Sequence, residues 1–170
     1  MKAKKVTTPS NPGDVNAMRI LKVGTCGTLT GKSTLTYHVG CVGAADIHFR
    51  VYANSGGGFY SKEWVPASEI QRILKKMPLV TSAALLPIFK GRSANNGGFL
   101  LSVLKEEGLF ARSPDKPRSY IATESPDFVA ELQVLIESGA NLDPDAKPSK
   151  KTPPVKAASR TSKTVKAVKT

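Results

Sequence analysis

Two histidines, His38 and His48, have the side chains most suited to acid–base or metal chemistry. Imidazole titrates near neutral pH and ligates transition metals. Both lie in alternating segments. Leu35, Tyr37 and Val39 fall on one face of Ser33–Val39, with Thr34, Thr36 and His38 on the other. Ile47, Phe49 and Val51 oppose His48, Arg50 and Tyr52 in Ile47–Ala53. Matching the apolar faces pairs Val39 with Ile47, Tyr37 with Phe49 and Leu35 with Val51, and leaves Gly40–Asp46 as the loop. A one-residue slip would set apolar against polar. This register makes His38 and His48 cross-strand neighbours. No third ligand is fixed beside them, since Asp46 and Glu63 are near only in sequence. The pair therefore reads as surface histidines gaining charge as pH falls towards about 6. No metal and no cofactor is expected.

Gly27-Thr-Leu-Thr-Gly31-Lys32-Ser33-Thr34 carries the residue types of a phosphate-binding loop. That motif needs four residues between its first glycine and Gly-Lys-Ser/Thr. Three intervene here, and β-branched alternation follows where a helix should begin, so the segment reads as a turn entering a strand. Ser–His–acid and Cys–His arrangements lack supporting context. Cys26 and Cys41 have no metal spacing and read as reduced thiols. No catalytic residue is assigned, and the chain is read as a non-enzyme.

Charge is the stronger signal. Residues 147–170 hold Lys147, Lys150, Lys151, Lys156, Arg160, Lys163, Lys166 and Lys169 and no acid. Residues 1–19 hold Lys2, Lys4, Lys5 and Arg19 against Asp14, whereas residues 20–146 hold 13 bases and 12 acids. The bases of 147–170 sit among no bulky apolar residue other than valine, so that tail cannot bury enough surface to fold. It can neutralise phosphates and release counterions, giving salt-sensitive, sequence-blind binding. With its lysine, alanine and proline mixed with serine and threonine, the segment Ala146–Thr170 resembles linker-histone tails. That likeness implies an extended chain tracking a phosphate backbone. Residues 1–13 have no apolar core for a signal peptide, and the apolar stretch Ala83–Phe89 is too short for a membrane span. A soluble cytoplasmic protein without a membrane partner is expected, nucleoid-associated if bacterial.

The elements that position these groups follow in order. A basic arm, disordered by composition, covers 1–15, and an antiparallel sheet covers 16–66: strands near Met18–Val23, 33–39 and 47–53, then Phe59–Val65 after a loop with three glycines. A helix at about Ser68–Met77 carries Ile70, Ile73, Leu74 and Met77 as its stripe. Pro87 makes Thr81–Lys90 a short or kinked helix. Asn96–Glu107 reads as a helix capped by Asn96 and closed by Gly108, followed by strands at 109–112 and 119–123. Ser125, Pro126 and Asp127 start the last helix, with Phe128, Val129, Leu132, Leu135 and Ile136 as its stripe and Gly139 as its end. Residues 67–140 form the helical module, and 141–170 form a disordered basic tail. The fold class is α+β.

The order helix, short helix, turn, helix, two-stranded wing, with Phe89-Lys90-Gly91-Arg92-Ser93 before the third helix and Glu107-Gly108-Leu109-Phe110 after it, resembles a winged helix-turn-helix. The likeness covers about a third of the chain. It implies a third helix in the major groove, with Arg92, Ser93, Asn95 and Asn96 near base edges. It further implies Lys90, Lys105, Arg112, Lys116 and Arg118 on phosphates or groove walls. Gly97 and Gly98 depart from a good recognition helix, and would allow close backbone approach to phosphate. Residues 72–118 hold nine bases and three acids; residues 119–146 hold six acids and no base. The sheet's polar face is a second candidate, with Arg50, Tyr52 and Lys62 for single-stranded nucleic acid. Trp64 and Tyr60 could extend it, although Trp64 is expected to pack beneath the 68–77 helix. The function expected is non-enzymatic DNA binding, regulatory or architectural, with duplex DNA as the partner and the tails giving non-specific phosphate affinity. The alternatives are a single-stranded DNA or RNA binder working through the sheet, and a protein-interaction module with basic tails. A homo-oligomer through the 125–138 helix is compatible with the sequence.

Overall fold

The turn at Thr28–Ser33 folds the first alternating segments into a hairpin. Thr28 N donates to Ser33 O at 2.9 Å and Gly31 N to Thr28 O at 2.8 Å, with Gly31 at φ +70°. The computed structural model describes residues 17–90 and 93–149. Strands β1 (Arg19–Gly27), β2 (Thr34–Val42), β3 (Asp46–Asn54) and β4 (Val65–Pro66) form an antiparallel sheet in that order. Helix α1 (Ala67–Lys76), β5 (Leu79–Val80), the 3-10 helix η1 (Ser82–Phe89), α2 (Asn95–Glu106), β6 (Phe110–Arg112), β7 (Tyr120–Ala122) and α3 (Pro126–Glu137) follow. The short strands form a second antiparallel sheet, ordered β5-β7-β6. The architecture is thus α+β.

The register of β2 and β3 differs from the expected one by two residues. Val39 pairs with Phe49, Tyr37 with Val51 and Cys41 with Ile47, and the turn is only Gly43–Ala45. A two-residue shift keeps every side chain on its face, so hydrophobic pattern cannot distinguish the registers. Gly43, at φ +63°, permits the tighter turn. His38 consequently faces Arg50, and His48 faces Gly40, so the histidines are not cross-strand partners. The expected strand at 59–65 is also corrected: only Val65 and Pro66 pair with β3. Gly57 and Gly58 take positive φ, and residues 55–64 cross as a loop.

Bulges re-aim two residues. Pairing jumps from Ile20–Gly40 to Lys22–Val39, which turns both Leu21 and Lys22 inward. Another skips Tyr52, between Thr36–Ala53 and Tyr37–Val51. The inner face packs on the helices in one hydrophobic cluster containing Leu21, Tyr37, Phe49, Val51, Leu100, Leu104, Phe110 and Phe128. The sheet and the helical module therefore share a core. Within it Lys22 Nζ reaches Glu107 Oε2 and Glu131 Oε2, both at 2.9 Å, and the Tyr37 hydroxyl donates to Glu107. Burial by itself would lower the Lys22 pKa, but the bonds and charges of Glu131 and Glu107 raise it on balance. Burial foremost, then Glu107, pushes the Tyr37 pKa up.

Helix α2 closes as expected: Gly108 is left-handed at φ +75°, and Leu109 N donates to Leu104 O at 2.9 Å. Its start differs. Ala94 occupies the cap, and Asn96 lies inside the helix and is buried. In α3, Phe128 and Leu132 face the core, whereas Val129 is 63% exposed and leaves the expected stripe. The chain does not leave the body at Asn141. Residues 141–149 lie along β1, with Leu142 N donating to Ile20 O and Ser149 N to Val23 O, each at 2.8 Å.

Candidate nucleic-acid interface

A helix that enters a DNA groove must present one face to it, and α2 does not. Asn96, Gly97 and Leu100 through Leu104 are buried, between the four-stranded sheet and η1. The Asn96 amide oxygen accepts from Ser61 N at 2.9 Å. Ser93 Oγ and Asn95 Nδ2 both donate to Phe59 O, at 2.5 and 3.3 Å. Three side chains expected near base edges therefore tether loop 55–64 to the start of α2. Their hydrogen bonds satisfy a loop backbone that would otherwise lack partners. Gly97 has a structural reason as well: a Cβ there would lie 2.0 Å from Ser82 O. The glycine admits η1, not a phosphate.

Of the other residues that the winged-helix likeness selects, Lys90 follows η1 on the way to α2 and Lys105 lies in the last turn of α2, both exposed. Arg112, Lys116 and Arg118 are exposed on or beside the β6–β7 turn. Arg92, Lys150, Lys151, Lys156, Arg160, Lys163, Lys166 and Lys169 lie outside the described residues, as does the 1–15 arm. Lys147 is exposed on the 141–149 segment.

The sheet's outer face gathers the aromatic and cationic side chains. Arg50 guanidinium carbon sits 4.4 Å from the Trp64 ring centroid and 5.2 Å from that of Tyr52. Lys62 Nζ lies 4.9 Å from the Tyr52 centroid. Tyr52 stacks on His38 at 4.5 Å, and Arg50 Nε donates to His38 Nδ1 at 3.0 Å. Arg50, Tyr52 and Trp64 are half-buried, and Lys62 is exposed. Trp64 thus lies over Gly40 on this outer face, not under α1: a Cβ on Gly40 would be 2.9 Å from the ring. Gly40 makes room for the indole. Tyr60 goes elsewhere, packing edge-on against Phe99 and donating to Tyr52 O at 3.0 Å.

His38 is fully buried under this layer. Burial, reinforced by Arg50, lowers its pKa to about 4, so it is neutral near pH 7. His48 Nε2 lies 3.0 Å from Asp46 Oδ2. Among the described residues no three His, Cys, Asp or Glu side chains converge as a metal site, and Cys26 and Cys41 form no disulfide. Nor is any described helix long and apolar enough to cross a membrane. A separate cleft of about 370 Å³, lined by uncharged residues including Phe49, Leu74, Phe128 and Leu132, lies between α1 and α3.

Two features escaped sequence reasoning. Phe59 is 91% exposed at the end of the glycine run, where an aromatic directly after Gly56–Gly58 was the available signal. Asp145 accepts from the Tyr52 hydroxyl at 2.7 Å, a contact between residues 93 positions apart that no local pattern announces. No protein-family model, curated protein or solved structure matches this chain.

Proposed function

We propose that this chain is a non-enzymatic nucleic-acid-binding protein whose base-contacting surface is the outer face of the four-stranded sheet. One observation carries the reading: rings and cations gather on one face of the sheet, with Arg50 against Trp64 and Tyr52 and Lys62 against Tyr52. Met18, which follows the 1–17 segment, approaches Gly40 beside Trp64, and Ser149, which precedes residues 150–170, bonds Val23. Val23 is paired with His38, at the centre of the cluster. Terminal lysines would hold phosphates sequence-blind, while Trp64, Tyr52, Arg50 and Lys62 supply rings and charges suited to unstacked bases and the backbone between them. This favours single-stranded DNA or RNA over the duplex.

A second reading keeps duplex DNA, favoured by a different observation. The order α1, β5, η1, α2, β6, β7, with sheet order β5-β7-β6, is compatible with a winged-helix-like module. Because α2 is enclosed, contact on this reading falls to the β6–β7 turn, through Arg112, Lys116 and Arg118. Labelled single-stranded DNA, RNA and duplex of one sequence, titrated by anisotropy, separate the two. Trp64→Ala should weaken single-strand binding by about fivefold or more, the least expected for losing one stacking contact, with melting curves verifying the fold. Lys62→Ala should weaken it less. If both bind as wild type while the Arg112, Lys116 and Arg118 triple alanine variant loses the duplex, the second reading replaces the first.

A further inference from the structure

The 141–149 segment is held differently at its ends and at its middle. Ile20 N donates to Asn141 Oδ1 at 3.1 Å, and the Leu142 and Ser149 amides bond Ile20 and Val23. Seven steps of chain thus separate anchors only three residues apart on β1, and the excess arches over the sheet. At the crest, Ala146 N donates to Asp143 O at 3.0 Å and Asp145 N to Asp143 Oδ1 at 2.7 Å, which closes a turn around Pro144. The turn delivers the Asp145 carboxylate to the Tyr52 hydroxyl on β3. Asp143, Pro144 and Asp145 are themselves exposed, so the arch buries little of its own surface. A segment with few buried contacts opens easily.

The charges are complementary. Tyr52 is the residue that its bulge turns out of the ladder, and Lys62 and Arg50 flank its ring. An anionic oxygen from Asp145 is bound beside the cations that a backbone phosphate would meet. We propose that the Asp143–Asp145 turn is a built-in occupant of this face, displaced when single-stranded nucleic acid binds, so that the protein holds its own binding surface partly closed. The proposal rests on the nucleic-acid reading above. It adds an intramolecular competitor, and a link between that face and the tail, because residues 150–170 continue directly from the segment that would lift.

Apparent affinity for a partly closed site scales with the open fraction. Removing one net hydrogen bond from the closed form should raise that fraction about two- to tenfold. Two variants weaken the closed form in different ways, one by losing the hydrogen bond and one by leaving it an uncharged acceptor. Tyr52→Phe keeps the ring and the net charge, and Asp145→Asn removes the anion. Each should tighten binding of a labelled oligothymidylate by about two- to tenfold. Glu124→Gln, an equal charge change at an exposed residue outside this segment, should leave it little changed, and melting curves verify that each variant is folded. Asp145→Asn alters only an exposed side chain, so it carries the test if Tyr52→Phe unfolds. If wild type binds and neither variant tightens, or Glu124→Gln tightens equally, the competitor is refuted and the nucleic-acid reading stands. Weaker binding by Tyr52→Phe would make the hydroxyl a ligand contact and would refute it too. If no form binds the oligonucleotide in dilute buffer, both fall together.

Discussion

At the residue scale, His38 shows how a polar position on an alternating strand can be buried. Alternation assigns it to the face away from the apolar core, and the structure keeps it there. That face is not open to solvent at this point, because Tyr52 and Trp64 lie over the imidazole and Pro144 and Asp145 approach it from the arch. Arg50 is the cation facing it, Asp145 the anion, and Tyr52 the other titratable neighbour. The ordinary pKa of 6.5 falls to about 4 in the fold, through burial first and Arg50 second. The unfolded chain therefore binds the extra proton between these values. Stability is complete above about pH 6.5 and is lost progressively as pH falls towards 4, by up to about 3 kcal/mol from this group. His38→Gln keeps an acceptor for Arg50 and removes the titration. The urea-unfolding gap between wild type and His38→Gln should narrow from pH 7 to pH 4.5. A constant gap would show that the imidazole does not sense its burial. Lys22 makes the complementary point: one bulged residue turned a surface-patterned lysine into a buried one, and no period-two rule anticipates a bulge.

At the element scale, what was legible was what local chemistry decides. The turn at Thr28–Ser33, the Pro-interrupted η1, the Gly108 closure of α2 and Pro126 at the start of α3 are set by backbone preferences of the residues themselves. What was not legible depended on contacts distant in sequence. The β2–β3 register moved by two because face matching is blind to even shifts, and 59–64 left the sheet because Ser93, Asn95 and Asn96 bind its backbone instead. The two glycines of α2 give this argument a sharp test. Gly97 meets Ser82 O at 2.0 Å from a built Cβ, whereas Gly98 meets only Ser82 Cβ at 3.8 Å. Gly97→Ala must push η1 away and should cost about 2–4 kcal/mol, at the upper end of overpacking effects. Gly98→Ala fits, and should gain up to about 1 kcal/mol of helix propensity. Chemical denaturation of both variants decides the matter. If the two alanines are equally tolerated, η1 is not seated on Gly97, and the burial of α2 that removes it from a groove is in question.

At the scale of the whole molecule, the separation between charge that grips and surface that discriminates becomes measurable. Acids and bases nearly cancel over 20–146, and several of the body's charges are already committed: Lys22 to Glu107 and Glu131, Arg72 to Glu69, and Asp145 to Tyr52. The segment 150–170 holds seven of the lysines and arginines and no acid. If those seven all meet phosphates, removing residues 150–170 should lower the magnitude of the log–log salt slope by up to about 6 on duplex and about 5 on single strands. The ratio of single-strand to duplex affinity at one salt concentration should rise, because the duplex loses the larger of those two electrostatic contributions. Lys62→Ala in the shortened chain should do the reverse, changing the ratio with a slope change of no more than about one. Titrations at four salt concentrations with each nucleic acid measure both quantities. Should truncation abolish the preference along with the affinity, the tail would be the discriminating element. The cluster of Arg50, Tyr52 and Trp64 would then be only the packing that closes one side of a sheet.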